Sequence, residues 1–351
     1  MSMFDFKGAW TALVTPFNSD DSLDVNGLKK NIEFQIREGI NGLLPVGTTG
    51  ESPTLNWDEH NEVIDQTIKT IAGRVPSIAG VGSNNTAEAV RAAKHAQDTG
   101  ADVGLLVDCY YNGPSSIELR TRYYEAVAKA TPGFALVPYV IPGRSGCELS
   151  DVDVAILSQN PQFVAVKEAT GNLDRMRRER SLSAKGFSIM SGDDDLTATM
   201  MTDPAIRSAG VISVMSNICP GAVTQMVNAF ASGNAAAAKA LEEKLKPLFA
   251  LVTVKASNAR SVAGQSLTVV DKYRNPLGVK TMMAGLGMPS GPARAPLGKM
   301  TAAGIAVVRN ALKAIRAQSP ELLQPIADFY GVNVDARLAD DNVWAALTDQ
   351  R

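Results

Sequence analysis

Eight short apolar runs alternate along this chain with stretches of helical periodicity. They are 10-WTALVTPF-17, 42-GLLPVG-47, 76-PSIAGVG-82, 103-VGLLVD-108, 134-FALVPYVI-141, 163-FVAVKE-168, 187-FSIMSG-192 and 209-AGVISVMS-216. Continuous apolar runs, as opposed to alternating ones, mark strands buried on both faces. Burial on both faces belongs to parallel sheets covered by helices. This one feature restricts the chain to α/β architectures.

The intervening segments carry helix signals. Leu28, Ile32 and Ile36 form a stripe after Asp24, an N-cap residue. Asn56 followed by Glu59 is a capping-box pattern, and Val63, Ile64, Thr67, Ile68 and Ile71 then share one face, with Gly73 as the stop. Asn85 and Glu88 repeat the pattern before Ala89, Val90 and Ala93. Residues 38-EGINGLLPV-46 echo 99-TGADVGLLV-107, each a helix end, a glycine turn and a buried strand. The echo spans about two βα units, since one takes ~30 residues. Eight comparable strands at that period fit a (βα)8 TIM barrel. A doubly wound sheet is the alternative, but no GxGxxG follows the first strand.

A barrel of about 250 residues leaves an appendage in a chain of 351. The barrel is expected over 1–220. A C-terminal helical domain is expected over 221–317, with an irregular insertion near 253–274, and an extension over 318–351. With 34 Lys+Arg against 36 Asp+Glu, the net charge of -2 leaves no basic footprint for nucleic acid. Cys109, Cys147 and Cys219 form no CxxC pair, and His60 and His95 lack metal-ligand spacing. The opening MSMFDFKGAW lacks a signal-peptide pattern, and no apolar run reaches the ~18 residues of a membrane span. A cytoplasmic protein without a structural metal is expected.

Active sites of such barrels lie at the C-terminal ends of the strands. Lys167 ends the run Phe163–Val166. Desolvation there disfavours the ammonium, and a neutral amine can attack a ketone to form a Schiff base. The competing reading is an ion pair with Glu168 or with one of Asp193–Asp195. The turn 47-GTTGES-52 can offer N–H and hydroxyl donors to an anion, or simply cap the next helix. Tyr110, Tyr111 and Tyr139 sit at strand ends, where a phenol either relays protons or packs. Arg144, in 142-PGRSG-146, can aim a guanidinium at a carboxylate or stay solvated. Asp193–Asp195 read as helix N-capping acids, not metal ligands.

Taken in order, GTTGES (47–52), YYNGPS (110–115), PGRSG (142–146), KEATGNL (167–173), SGDD (191–194) and GVISVMSN (210–217) resemble the dihydrodipicolinate synthase/N-acetylneuraminate lyase family of pyruvate-dependent class I aldolases. NPLGVKTMMAGLGM (275–288) and RAPLGKM (294–300) extend the match. The resemblance implies a homotetramer built from tight dimers, acting on small molecules without metal or organic cofactor. It implies that pyruvate is held covalently as an imine on Lys167, with its carboxylate on Thr48 and Thr49. Tyr139 would move protons, linked through Thr48 to a Tyr111 lent by the neighbouring subunit. Arg144 would bind the carboxylate of L-aspartate-4-semialdehyde, with Gly192 and the Ile212 carbonyl beside the substrate. A regulatory L-lysine site would include Ser52, His60, Asn84, Glu88 and Tyr110, with Pro53 and Trp57 beside them.

Departures from the family pattern are Asp108-Cys109, where Thr-Pro is usual, and Val140, where asparagine is usual. The 253–274 segment and the tail are additions. A sugar-acid or N-acetylneuraminate lyase is the nearest alternative, and a silent binding barrel the more distant one. Arg144 favours an anionic aldehyde over a neutral polyol.

Overall fold

The computed structural model describes residues 6–349; part of the opening segment read above for a signal sequence lies outside them. The eight apolar runs become β1 (Gly8–Ala12), β2 (Gly42–Leu44), β3 (Ile78–Gly80), β4 (Val103–Val107), β5 (Ala135–Val140), β6 (Ala165–Glu168), β7 (Ser188–Ser191) and β8 (Gly210–Ser213). All are parallel, in the order β2-β1-β8-β7-β6-β5-β4-β3. A bridge between Leu43 and Ser77, and a bond from the Gly80 N–H to the Pro45 carbonyl at 3.3 Å, join the two ends and close the barrel.

Helices follow each strand: α1 (Val25–Arg37), α2 (Trp57–Ile71), α3 (Thr86–Thr99), α4 over 116–130, α5 (Asp151–Leu157), α6 (Leu173–Leu182), α7 (Thr197–Thr202) and α8 (Pro220–Ala231). Asp24 caps α1 through the Gly27 N–H, and Asn56 and Glu59 form the expected box. Asn85 also caps its helix, but Glu88 turns instead to the Ser83 hydroxyl, at 2.8 Å. Because α8 packs against β1, the eighth βα unit extends past residue 220.

Two apolar cores result. The inner one fills the barrel with Trp10, Leu44, Ile78, Leu105, Val137, Met190 and Ile212, below Tyr139. Phe6 stacks on Trp10 at 4.5 Å at its base. Gly42 is required there, since a Cβ would meet the Trp10 ring at 2.1 Å. The outer core lies between strands and helices.

Residues 253–274, expected as an irregular insertion, form an antiparallel hairpin. It consists of β9 (Thr253–Val262) and β10 (Gln265–Arg274), in register from Thr253↔Arg274 to Val262↔Gln265. Ala263 and Gly264 turn it with φ of 50° and 79°, as a two-residue hairpin turn requires. Most of its outer length is exposed on both faces, so polar side chains break the alternation that would mark a strand. The rest of the C-terminal region is helical as expected, with α9 (Ala235–Phe249), α10 (Leu277–Leu286) and α11 (Ala302–Gln318). The tail packs on the chain itself. Tyr330 donates to the Asn31 side chain of α1 at 2.8 Å, and buried Trp344 lies against Gly285 of α10. Among the described residues no helix is long and apolar enough to cross a membrane.

Candidate active site

Register places the reactive groups. Tyr139 and Lys167 are paired positions on β5 and β6, so their side chains leave the sheet on the same, inward face. The Lys167 Nζ lies 4.2 Å from the centre of the Tyr139 ring. Lys167 is 5% exposed. Burial lowers its pKa from 10.5 to about 8, opposed by the fields of Asp193 and Asp194 and reinforced by Arg144. The ion-pair reading fails for Glu168. One residue along the strand, its side chain points outward, into the layer beneath α6, where Arg175 binds it at 3.2 Å. Asp193 and Asp194 act on Lys167 through their fields, without an ion pair.

Tyr139 is buried, and burial pushes its phenol well above the ordinary value, with Arg144 and Thr48 opposing and Asp193 reinforcing. It is therefore a neutral phenol throughout the neutral range. Thr48 lines the same cavity, and Thr49 is 2% exposed behind it. Among the described residues, the backbone N–H groups of Thr48 and Thr49 have no acceptor. Two unsatisfied donors in the turn that bonds Tyr139, the ring against which Lys167 lies, can seat a small carboxylate. The turn is strained: Val46 and Glu51, neither a glycine, stand at φ of 48° and 57°. Such residues cost of order 1–3 kcal/mol each and persist only where the surroundings hold them.

Arg144 lines the cavity, which measures about 310 Å³ and also includes Ser52, Pro53, Tyr110, Ile141 and Ser145. Its Nη2 donates to the Asn275 carbonyl at 3.0 Å. Enough protein surrounds the guanidinium for desolvation to lower its pKa. Asn275, at the foot of the hairpin, also donates from Nδ2 to the Thr49 hydroxyl at 3.0 Å. One residue thus ties the threonine turn to the arginine loop. Sequence reasoning missed it, because it lies 226 positions from Thr49 and only folding brings the two together. Gly192 flanks Lys167: a Cβ there would come within 3.2 Å of the lysine Cε and 2.8 Å of the Ala169 Cβ. Ile212 is fully buried in β8.

The capping role expected for Asp193–Asp195 is corrected. Their short helix has no side-chain cap, and Asp194 instead accepts the Val214 and Met215 N–H groups at 3.0 and 3.1 Å. It holds the end of β8. Asp193 faces the site, its pKa raised to about 6 by burial and Asp195 against the pull of Lys167. Tyr111 does not join this chain's cavity. It is 93% exposed and left-handed at φ 73°. Of the implied regulatory set, Ser52 and Tyr110 line the cavity mouth, and the Glu88 carboxylate raises the Tyr110 phenol in addition to burial. His60 is buried against Trp57, with ring centres 4.9 Å apart, and burial lowers its pKa to about 4. Asn84 is half-buried beside Ser83.

Comparison with known proteins agrees with this architecture. A model of the dihydrodipicolinate synthetase family matches residues 5–315. A 4-hydroxy-tetrahydrodipicolinate synthase of Methanothrix thermoacetophila is 40% identical over 308 residues, covering 88% of this chain and 96% of that protein. The solved 4-hydroxy-tetrahydrodipicolinate synthase of Methylacidiphilum fumariolicum superposes with a TM-score of 0.81 at 33% identity, covering 91% of this chain and 99% of that one. The dihydrodipicolinate synthase of Acinetobacter baumannii, solved in complex with pyruvate, gives 0.78 at 33% identity, covering 88% and 98%. Fold and likeness define the class as a barrel lyase of the class I aldolase type. Within that class, the chain belongs to the dihydrodipicolinate synthetase family.

Proposed function

We propose that the chain condenses pyruvate with L-aspartate-4-semialdehyde to 4-hydroxy-tetrahydrodipicolinate, through an imine on Lys167. One observation carries this: a buried lysine amine, with no ion-pair partner among the described residues, against a neutral tyrosine that bonds the turn carrying two free backbone donors. The neutral Lys167 amine attacks the pyruvate ketone, and water leaves as the iminium forms. The Thr48 and Thr49 N–H groups hold the carboxylate. The iminium is the electron sink: loss of a methyl proton gives an enamine, whose carbon attacks the aldehyde. Tyr139 carries protons to and from the reacting atoms, with Thr48 beside it. The amine of the second substrate then displaces Lys167 as the ring closes. The scheme calls on neither a metal nor an organic cofactor.

Arg144 takes the carboxylate of the aldehyde, with Gly192 leaving room beside the imine and the Ile212 carbonyl near it. Tyr111, projecting from its own chain, reaches the neighbouring active site within a tight dimer of a homotetramer. L-lysine is the effector of the Ser52, His60, Asn84, Glu88 and Tyr110 region; initial rates unchanged at millimolar lysine would remove that role.

The deciding experiment measures initial rates with pyruvate plus L-aspartate-4-semialdehyde, and with N-acetylneuraminate in the cleavage direction. In parallel, a pyruvate and borohydride sample is mapped by mass spectrometry. Synthase turnover with an adduct on Lys167 is expected. An adduct without synthase turnover would move the protein to another aldehyde, and no adduct would overturn the imine. The pH dependence follows from the amine. At pH 7 only about a tenth of Lys167 is neutral if its pKa is about 8. Trapping rates should therefore rise about tenfold per pH unit below 8 and level off above it; a flat profile would contradict this. Arg144→Gln should raise KM for the aldehyde about ten- to a hundredfold, the worth of a charged hydrogen bond, and leave pyruvate trapping within about twofold.

A further inference from the structure

We propose that Glu51 and Lys280 are positioning residues for the threonine turn, so that the C-terminal helical region is a working part of the active site. This rests on the reading that Thr48 and Thr49 hold pyruvate. Lys280 stands on α10, far in sequence from the barrel mouth, and is 2% exposed. Its ammonium has three protons and uses all of them: on Glu51 Oε1 at 2.5 Å, the Pro292 carbonyl at 2.7 Å and the Thr15 carbonyl at 3.2 Å. It also lies 4.3 Å from the centre of the Phe17 ring. Burial lowers its pKa, but a saturated ammonium is no nucleophile, which separates it from Lys167.

The acceptor is what makes the pair informative. Glu51 closes the turn Gly47–Glu51 in a left-handed conformation that an ordinary side chain avoids. Its carboxylate is wholly buried and takes a second bond, from the Arg294 N–H at 2.9 Å. Its own N–H returns to the Thr48 carbonyl at 3.2 Å, and the Ser52 N–H to that of Gly47 at 3.3 Å. The Thr15 hydroxyl holds the Gly50 carbonyl at 2.7 Å. The anchors of the turn outside its own backbone include Lys280, the Arg294 loop, Thr15 and Asn275, with Tyr139 bonding the Thr48 side chain. Removing the charge on either side frees the strained turn to relax and moves the Thr48 and Thr49 donors from the carboxylate seat. The aldehyde end, held by Arg144, joins this path only indirectly, through the Asn275 carbonyl that Arg144 binds.

The test compares wild type, Glu51→Gln, Lys280→Met and the double variant by melting temperature, by KM for each substrate and by pyruvate saturation of borohydride trapping. Glu51→Gln keeps the shape and loses only the charge. We expect it to need about tenfold more pyruvate for half-saturation of both trapping and turnover, with a clearly smaller change in KM for the aldehyde, whose carboxylate site the turn reaches only through Asn275. In the double variant no buried charge is left unpaired, so its melting temperature should recover relative to Lys280→Met while the pyruvate defect persists. Pyruvate saturation that stays normal in Glu51→Gln, or that recovers in step with melting temperature, would reduce the pair to a purely stabilising one and overturn the proposal. Failure of the wild type itself to trap pyruvate would overturn the imine reading instead, and the two failures are read from different samples.

Discussion

Lys167→Ala is expected to lower turnover by about four orders of magnitude or more, because it removes the nucleophile and with it the covalent route. The borohydride adduct should vanish in the same variant. Loss of fold is separable from loss of chemistry here. Lys167 makes no ion pair among the described residues, and its folded pKa of about 8 lies below the ordinary 10.5. The folded state thus disfavours the ammonium, so below pH 8 alanine removes a cost as well as some packing. The melting temperature should therefore hold near that of wild type. Full activity of the variant, or an adduct on another lysine, would end the imine scheme. Lys280 is the natural suspect for such a shift, and its three occupied protons argue against it.

The second large effect lies just behind the site. Arg175 is buried and serves three acids: Glu168 at 3.2 Å, Glu148 at 2.8 Å and Glu179 at 3.8 Å. Its Nη2 also donates to the Leu149 carbonyl at 2.8 Å. Glu168 and Glu179 are wholly buried. Burial raises Glu168 from 4.5 to about 7 against the pull of Arg175, and holds Glu179 well above the ordinary value. Arg175→Met strands these carboxyls, and breaking a buried pair this way costs about 3–5 kcal/mol. The pH sign follows from the raised values. Between about 4.5 and 7 the folded state binds more protons than the unfolded one, so this pair's contribution falls as pH rises. Without the arginine the carboxyls hold their protons to still higher pH. The loss in Arg175→Met should thus be largest near pH 8 and clearly smaller near pH 5, where both acids are neutral. Calorimetry at the two pH values checks this; equal losses at both would mean that lost packing, not buried charge, is the cause.

How legible the molecule was depended on the range over which each feature is specified. Strands β1–β8 could be read because burial on both faces writes itself into a run of four to eight neighbouring residues. The caps at Asp24 and Asn56 could be read because a capping bond spans three residues. Lys167, Thr48, Tyr139 and Arg144 stood out because the barrel exposes strand ends at one face and the motifs sit there. The hairpin was missed because exposed strands carry no burial pattern. Glu88 was misread because the Ser83 hydroxyl donates to its carboxylate and accepts the Asn85 N–H in its place.

The amino-acid sequence by itself determined the barrel, the C-terminal helices, the order of the strand-end motifs and the candidate lysine, since each is written in local periodicity or in short contiguous segments. The tertiary structure alone decided which neighbours those residues keep. It turned Glu168 outward to Arg175 and left Lys167 against Tyr139, because side chains alternate across a strand and register fixes the face. It set Asp194 under β8, Asn275 between Thr49 and Arg144, and Lys280 on Glu51. These are contacts across a closed sheet and between distant segments. No local pattern encodes them, because their energies depend on burial and distance that exist only once the chain has folded.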